Sequence, residues 1–336
     1  MALGMGRIAV GLEIDKGTAR VVELTGSPQS PKLTGMSGIA LPEGAVEEGM
    51  IVEPREVGEA LKRLWSSGAV KERNVLLGVS NQGVLVRHAI VPKVSADKID
   101  NMIRFHAQDH LPIPLNTVVL DYIIIGETVE EEKENLEVLL VAARRDMLDG
   151  FLKALDYARL EPLDIDVSTL ALIWVLPEAA RDRSVAVVNV ANGLSSILVS
   201  VNSRPRMARL VSAKLKDLAD KFGYSLNEVL SINHYDSGEY AKAIDAWVDN
   251  LAGEIRSSIN YYQNQDNAAE IEAIAVNGRG ALLNRVSVRL ENRLELPVRI
   301  TNPLAGITAS PKIAGTGLES VEYAYSIGLA RRGLEG

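Results

Sequence analysis

Strand-like and helix-like patterns of apolar residues alternate along the chain and predict a mixed α/β protein. Apolar runs at Ile8–Ile14, Ala19–Leu24 and Lys32–Ala40, separated by turn residues, predict a meander of strands. Beyond Pro54, apolar residues recur at positions i, i+3, i+4, i+7 and i+8 until Gly68, which predicts the first helix. The two periodicities follow one another along the chain, as they do when sheets are covered by helices.

A compact unit is predicted to be inserted after the first strands and helix. A helix capped by Ser95 is followed by strands at Val118–Gly126 and Leu136–Ala143, which are joined by the acidic segment ETVEEEKEN. A second helix opens at Asp146, in an arrangement that resembles a capping box. We interpret this block as a small α+β subdomain.

The opening pattern recurs in the second half of the chain. The stretches GLEIDKGTARVVEL and VVNVANGLSSILVS align without gaps when Gly17 is placed on Gly193, and a second meander of strands follows. This repeat predicts two related lobes that enclose a cleft. The predicted boundaries are 1–92 with 160–184 and 316–336 for the first lobe, 93–159 for the inserted subdomain, and 185–315 for the second lobe, with a helical insertion at about 212–270.

Composition narrows the classes of function. The chain has 336 residues, of which 47% are apolar, and its abundant Val, Leu, Ile and Ala are typical of buried sheets. A net charge of −8 without a basic stripe argues against nucleic acid as a partner. The absence of cysteine excludes disulfides and thiolate chemistry. No signal-peptide pattern opens the chain and its apolar runs are too short to span a bilayer, so we predict a cytoplasmic protein.

Two long motifs resemble the PilM family of type IV pilus assembly proteins. They are IRFHAQDHLPIPLNTVVLDY and EVLLVAARRDMLDGFLKALDYARLEPLDIDVSTLAL, and the resemblance extends over nearly the whole chain. The family is part of the actin-like ATPase superfamily and is similar to FtsA. The resemblance implies duplicated ribonuclease-H-like lobes with a small α+β subdomain in the first lobe.

The resemblance also implies a role at the inner face of the cytoplasmic membrane. PilM-like proteins capture the N-terminal cytoplasmic tail of a PilN-like membrane protein, so membrane association would be indirect. Further partners to expect are the pilus motor ATPase, a platform protein and other copies of the same chain.

In the actin-like superfamily, two turns bind phosphates through backbone N–H groups, and an acidic residue before each turn orients Mg²⁺ and water. The family pattern places the first turn at Glu13 and Asp15 and the second at Asn189, while the adenosine loop corresponds to VNGRGALL. Mg²⁺ would then be held by Glu13 and Asn189, and Glu13 is the candidate catalytic residue. The candidate nucleotide-binding residues are Glu13, Asp15, Lys16, Gly17, Thr18, Asn189, Asn192, Gly193, Gly278, Arg279 and Gly280.

These loops depart from the family pattern at three positions. Asp15 and Ala191 stand where the family has glycine, and Asn189 stands where it has an acid. A carboxylate at about 4 Å from a phosphate charge is repelled by roughly 4 kcal/mol at an effective dielectric constant near 20. An asparagine cannot act as a carboxylate base or contribute charge to Mg²⁺. We therefore expect a degenerate site, with binding of ATP and Mg²⁺ weak or absent and hydrolysis lost.

The resemblance places the partner tail in a cleft between the first lobe and the subdomain. An extended apolar tail requires exposed apolar side chains and a free strand edge. The candidate residues are Val86 and Ile90 on a strand and Ile103, Ala107 and Leu111 on a helix. The alternative interpretation is that these residues form the core of the subdomain.

Three functions stay open at this point. We favour a scaffold of a type IV pilus or related secretion machine. The alternatives are an active or nucleotide-gated ATPase of the same machine, for which Glu13 would have to suffice, and an FtsA-like filament protein. Whether the machine serves pili, competence or type II secretion is also open.

Overall fold

The computed structural model describes residues 7–130, 132–231, 238–266, 268–309, 313 and 319–335. Its strands are Arg7–Asp15 (β1), Thr18–Ser27 (β2), Ser30–Ala40 (β3), Val46–Glu47 (β4), Met50–Ile51 (β5), Asn74–Val79 (β6), Val84–Pro92 (β7), Val118–Glu130 (β8), Lys133–Arg144 (β9), Glu161–Val167 (β10), Ser184–Asn189 (β11), Ser195–Val201 (β12), Arg204–Val211 (β13), Ala273–Asn277 (β14), Val298–Ile300 (β15) and Thr308–Ala309 (β16). Its α-helices are Pro54–Ser66 (α1), Ile99–His110 (α2), Arg145–Ala158 (α3), Ser168–Ala171 (α4), Glu178–Arg181 (α5), Leu215–Phe222 (α6), Leu226–Ser231 (α7), Gly238–Gln263 (α8), Val286–Leu294 (α9) and Ala324–Glu335 (α10).

The two large sheets share a topology of five strands, and the first sheet has β16 as an additional edge strand. The first has the strand order β10-β6-β1-β2-β3-β16, and the second has the order β13-β12-β11-β14-β15. Each sheet contains an antiparallel meander, β1-β2-β3 in the first and β11-β12-β13 in the second. On the other side of the meander's first strand lie two parallel strands, β6 and β10 in the first sheet and β14 and β15 in the second. The predicted repeat and the two-lobed α/β fold are thus confirmed.

Helices cover the first sheet on both faces. Because side chains alternate along β1, Val10 and Leu12 pack with α1 and α3 in one apolar cluster, while Ala9 belongs to the cluster that contains α10. At Gly11 the strand backbone lies directly against α10, because a Cβ at this position would be 2.1 Å from the backbone oxygen of Ser326. The same second cluster includes residues of β11 and β12, so α10 packs between the two sheets.

The small third sheet corrects two of the predicted boundaries. Its strand order is β7-β9-β8, and β7 pairs with β9 over its whole length, so β7 belongs to this sheet and not to the first lobe. Helix α3, which the sequence analysis placed in the subdomain, packs its Phe151 and Leu155 into the core of the first lobe. By these contacts the sheet spans Val84 to Arg144. The boundaries predicted at residues 1, 315, 316 and 336 lie outside the described residues.

No helix among the described residues has the combination of length and apolar character that a membrane crossing requires.

Candidate functional site

The loops of the two equivalent hairpins meet in the cleft between the lobes. Asp15 ends β1, and Gly17 has a φ of +75°, which closes the tight turn into β2. The Asp15 carboxylate accepts the N–H of Lys16 at 2.7 Å through Oδ1 and the N–H of Asn192 at 3.1 Å through Oδ2. The Asn192 amide in turn donates from Nδ2 to the Lys16 carbonyl at 3.2 Å. The two loops are therefore hydrogen-bonded directly to each other.

The Asp15 carboxylate is enclosed by these loops. The residue is only 9% exposed, and a Cβ on Gly193 would lie 3.1 Å from its Oδ1. Burial raises the pKa of Asp15, while the Arg20 charge and the N–H groups of Lys16, Asn192 and Gly193 act in the opposite direction. A buried carboxylate with several N–H donors occupies the same kind of environment that turns provide for bound anions.

Next to Asp15, Glu13, Arg20 and Glu322 form a row of charged side chains. Glu13 and Arg20 are paired across β1 and β2, and both are buried. Arg20 Nη1 lies 3.6 Å from Glu13 Oε1, and Arg20 Nη2 lies 3.3 Å from Glu322 Oε2. Burial raises the pKa of Glu13 to about 7, although Arg20 opposes the shift. Among the described residues, Oε2 of Glu13 has no hydrogen-bond partner.

The glycines of the predicted adenosine loop allow this loop to pack against the second hairpin. Gly278 has a φ of +80°, and a Cβ there would lie 2.5 Å from the Val190 carbonyl oxygen. The N–H of Gly280 donates to that same oxygen at 3.0 Å. The Arg279 side chain donates to Asn227 and lies 3.7 Å from Glu322. These contacts explain the glycines by packing alone.

A magnesium–triphosphate complex does not fit the residues as they are arranged. The Arg20 guanidinium already lies against Glu13, the predicted metal ligand. The N–H of Asn192 is bound by Asp15, the Lys16 ammonium pairs with Glu47 at 2.6 Å, and the Thr18 hydroxyl donates to the Ile39 carbonyl at 3.3 Å. Within the described part of the chain, no group of three or more His, Cys, Asp or Glu side chains could hold a metal ion.

The sequence analysis did not single out Arg20 or Glu322, which the structure joins to Glu13 in one cluster. A signal for Arg20 was present, because a tight turn at Gly17 pairs Asp15 with Thr18 and therefore Glu13 with Arg20. Glu322 carried no such signal, since it enters the cluster from the far end of the chain.

A cavity of about 620 Å³ opens between the subdomain, the first lobe and the second lobe. Its walls include Val84–His88 of β7, Leu139 of β9, Thr169 of α4, Arg206–Leu210 of β13 and Tyr261 of α8. Consecutive residues of β7 and β13 line it, whereas the face of a strand would contribute only alternate residues. Because β7 and β13 are both edge strands, the cavity lies between two strand edges.

The predicted groove residues separate into two groups. Val86 lines the cavity, and Ile90 on the same strand is 37% exposed but lies outside the cavity. Ile103, Ala107 and Leu111 are buried in the core between α2 and the small sheet, so they are not available to a partner in this arrangement. The second-lobe wall formed by β13 was not anticipated.

Comparison with known proteins gives a consistent result. The family model described as type IV pilus assembly protein PilM matches residues 11–334. Among solved structures, the chain is similar to a chain of a PilM-PilN type IV pilus biogenesis complex, with a TM-score of 0.85 and 27% identity, covering 98% of this chain and 99% of that chain.

Two more distant structures are similar in fold alone. One is the ethanolamine utilization protein EutJ from Carboxydothermus hydrogenoformans, with a TM-score of 0.56 and 12% identity, covering 97% of this chain and 89% of that one. The other is MreB5 of Spiroplasma citri bound to AMPPNP, with a TM-score of 0.53 and 10% identity, covering 95% of this chain and 94% of that one. The family match over residues 11–334 shows that the chain belongs to the family of the type IV pilus assembly protein PilM.

Proposed function

We propose that this protein is an adaptor of a type IV pilus assembly platform, which binds the N-terminal cytoplasmic tail of a PilN-like membrane protein. The observation that carries the proposal is the similarity, over 98% of the chain, to a chain from a PilM-PilN complex. The adaptor would act at the cytoplasmic face of the inner membrane and would be held there through the tail.

We place the tail in the cavity between β7 and β13. The volume of about 620 Å³ is within the range of sites that enclose a ligand segment. An extended peptide can pair its backbone with an exposed strand edge, and two such edges border this cavity. Val86 supplies apolar surface for side chains of the tail, while the backbone of β7 or β13 supplies hydrogen bonds.

The proposed role does not need nucleotide turnover. Glu13 is paired with Arg20, the equivalent position of the second hairpin is the neutral Asn189, and Asp15 occupies the N–H of Asn192. The second hairpin therefore has an amide, and not a carboxylate, at the position where an acid would activate a water molecule. This arrangement favours the adaptor over an active ATPase.

The test is calorimetric titration of the protein with a synthetic peptide of the N-terminal tail of a PilN-like protein, with a scrambled peptide as control. Val86→Arg should weaken binding by about tenfold or more, because placing a long charged side chain in a formed site costs on the order of 1–3 kcal/mol. Ile90→Arg is the matched control, since Ile90 is on the same strand but outside the cavity and should bind as the native chain does.

Ala208→Glu introduces a charge on the opposite wall, on β13, and should weaken binding as Val86→Arg does. Thermal melting confirms that each variant is folded. If both cavity variants bind the peptide as tightly as the native chain does, the tail binds at another surface. If the native chain does not bind the peptide, the proposed partner is refuted.

A further inference from the structure

Carboxylates of the first lobe already bind the backbone N–H groups and the lysine side chains of the cleft that could bind an added anion. Asp15 holds the innermost position, where it accepts N–H groups from a loop of each lobe. It is a residue of the chain itself, so its binding to these donors requires no ligand. Groups that an external phosphate would need are therefore already paired within the chain.

A second pair of carboxylates closes the rim of the same cleft. Glu47 lies 2.6 Å from the Lys16 ammonium of the first loop, and Glu48 lies 2.5 Å from the Lys214 ammonium of the second lobe. Glu47 ends β4, and Glu48 follows it in the tight turn to β5. The two lysines next to the loops are thus neutralised by one acidic turn.

The acidic turn is held rigidly in this position. Glu48 and Gly49 both have positive φ, and the buried side chain of Asn81 donates to the Gly49 carbonyl at 3.0 Å. A Cβ on Gly49 would lie 2.4 Å from the backbone oxygen of Ser80, so the turn packs closely on the residue after β6. A backbone fixed in this way presents Glu47 and Glu48 to the cleft at little entropic cost.

We propose that Asp15, with Glu47 and Glu48 at the rim, acts as an internal anion that holds the two lobes closed in the absence of nucleotide and excludes added polyphosphate from the loops. The inference deepens the proposed loss of nucleotide binding and does not depend on the identity of the partner tail. It explains how a cleft between two lobes is kept closed by the chain alone.

Hydrogen exchange measured by mass spectrometry on peptides from 11–24 and 187–200 tests the proposal. In the native chain, without nucleotide, both loops should be protected, and millimolar magnesium AMPPNP or inorganic triphosphate should leave their exchange unchanged. Asp15→Ala removes the acceptor of both N–H groups, so exchange in both loops should rise at least about tenfold, the factor that corresponds to roughly 1.4 kcal/mol of opening free energy. Added triphosphate should then restore part of the protection.

Glu59→Gln is the control, because it removes a charge that pairs with Lys62 within α1 and not with the loops, and it should leave loop exchange unchanged. Asp15→Asn is the second variant in case Asp15→Ala does not fold, since an amide offers one acceptor where the carboxylate uses two. Peptides from β6 and β9 should exchange as in the native chain in every folded variant.

Two results would overturn the inference. One is native-like protection of both loops in Asp15→Ala or Asp15→Asn, and the other is a clear rise in protection of the native loops on adding the nucleotide analogue. The tail titration is a separate measurement, so failure of tail binding with protected loops refutes the proposed partner and leaves the internal anion standing.

Discussion

Because Glu13 is buried, we predict that the free energy of unfolding depends on pH by an amount that can be worked out. Its pKa is raised from 4.5 to about 7 in the folded chain, mainly because burial disfavours the charged carboxylate. The folded state therefore keeps the proton over a range in which the unfolded state has lost it. The contribution of Glu13 to stability is unchanged below about pH 4.5, falls as pH rises to about 7, and is constant above that value.

The size of the effect follows from the same shift. Each unit of pKa corresponds to about 1.4 kcal/mol, so the loss between the two plateaus is about 3 kcal/mol. Glu13→Gln preserves the shape of the side chain but does not titrate. The difference in the free energy of unfolding between native chain and variant therefore isolates this one group.

The assay is urea unfolding of both proteins at several pH values from 5 to 8.5, with the difference plotted against pH. The native chain should lose up to about 3 kcal/mol relative to Glu13→Gln as pH rises to about 7. Glu59→Gln serves as control, because the Glu59 side chain is partly exposed and the hydrogen bond from Lys62 lowers its pKa, so no comparable fall is expected. A difference that stays flat, or that rises with pH, would contradict the assignment of a raised pKa to Glu13.

Two further predictions concern packing and use unfolding in urea as the readout. Gly11→Ala should destabilise the chain by at least about 1–3 kcal/mol, because its Cβ would lie 2.1 Å from the Ser326 carbonyl oxygen and would push α10 from the sheet; Gly253→Ala in α8, with open space around it, should instead stabilise by up to about 1 kcal/mol. Phe151→Ala should lower the free energy of unfolding by about 3–5 kcal/mol, since Phe151 of α3 is fully buried in one cluster with residues of α1 and the first sheet. A decrease below about 1 kcal/mol would show that α3 does not belong to the core of the first lobe.

The fold could be predicted from the sequence because its main signals are local. The hairpin at Gly17 fixes a register by simple counting, and the repeat at Gly193 transfers that register to the second lobe. Each lobe then adds one parallel strand, β6 or β14, whose apolar character marks it as buried. These features depend on neighbours in sequence, so one chain is sufficient to find them.

The remaining features depend on pairs that are far apart in sequence. The sequence of β7 indicates a strand but not the sheet that it joins, and only its pairing with β9 assigns it to the subdomain. Likewise, the apolar stripe with Ile103 and Ala107 indicates that one face of α2 is buried, but not whether a partner or the chain's own sheet covers it. The bond between Asp15 and Asn192 joins residues 177 positions apart, and nothing in either loop alone indicates it.

The cavity between β7 and β13 has a consequence for how force passes through the protein. Its walls belong to the subdomain and to both lobes, so any molecule that fills it is also a crosslink between these bodies. Linkage is reciprocal. If an occupant of the cavity lowers the equilibrium constant for rotation of the lobes by some factor, rotation of the lobes lowers the affinity for the occupant by the same factor. For the tail proposed to fill this cavity, the strength of attachment would then vary with the angle between the lobes.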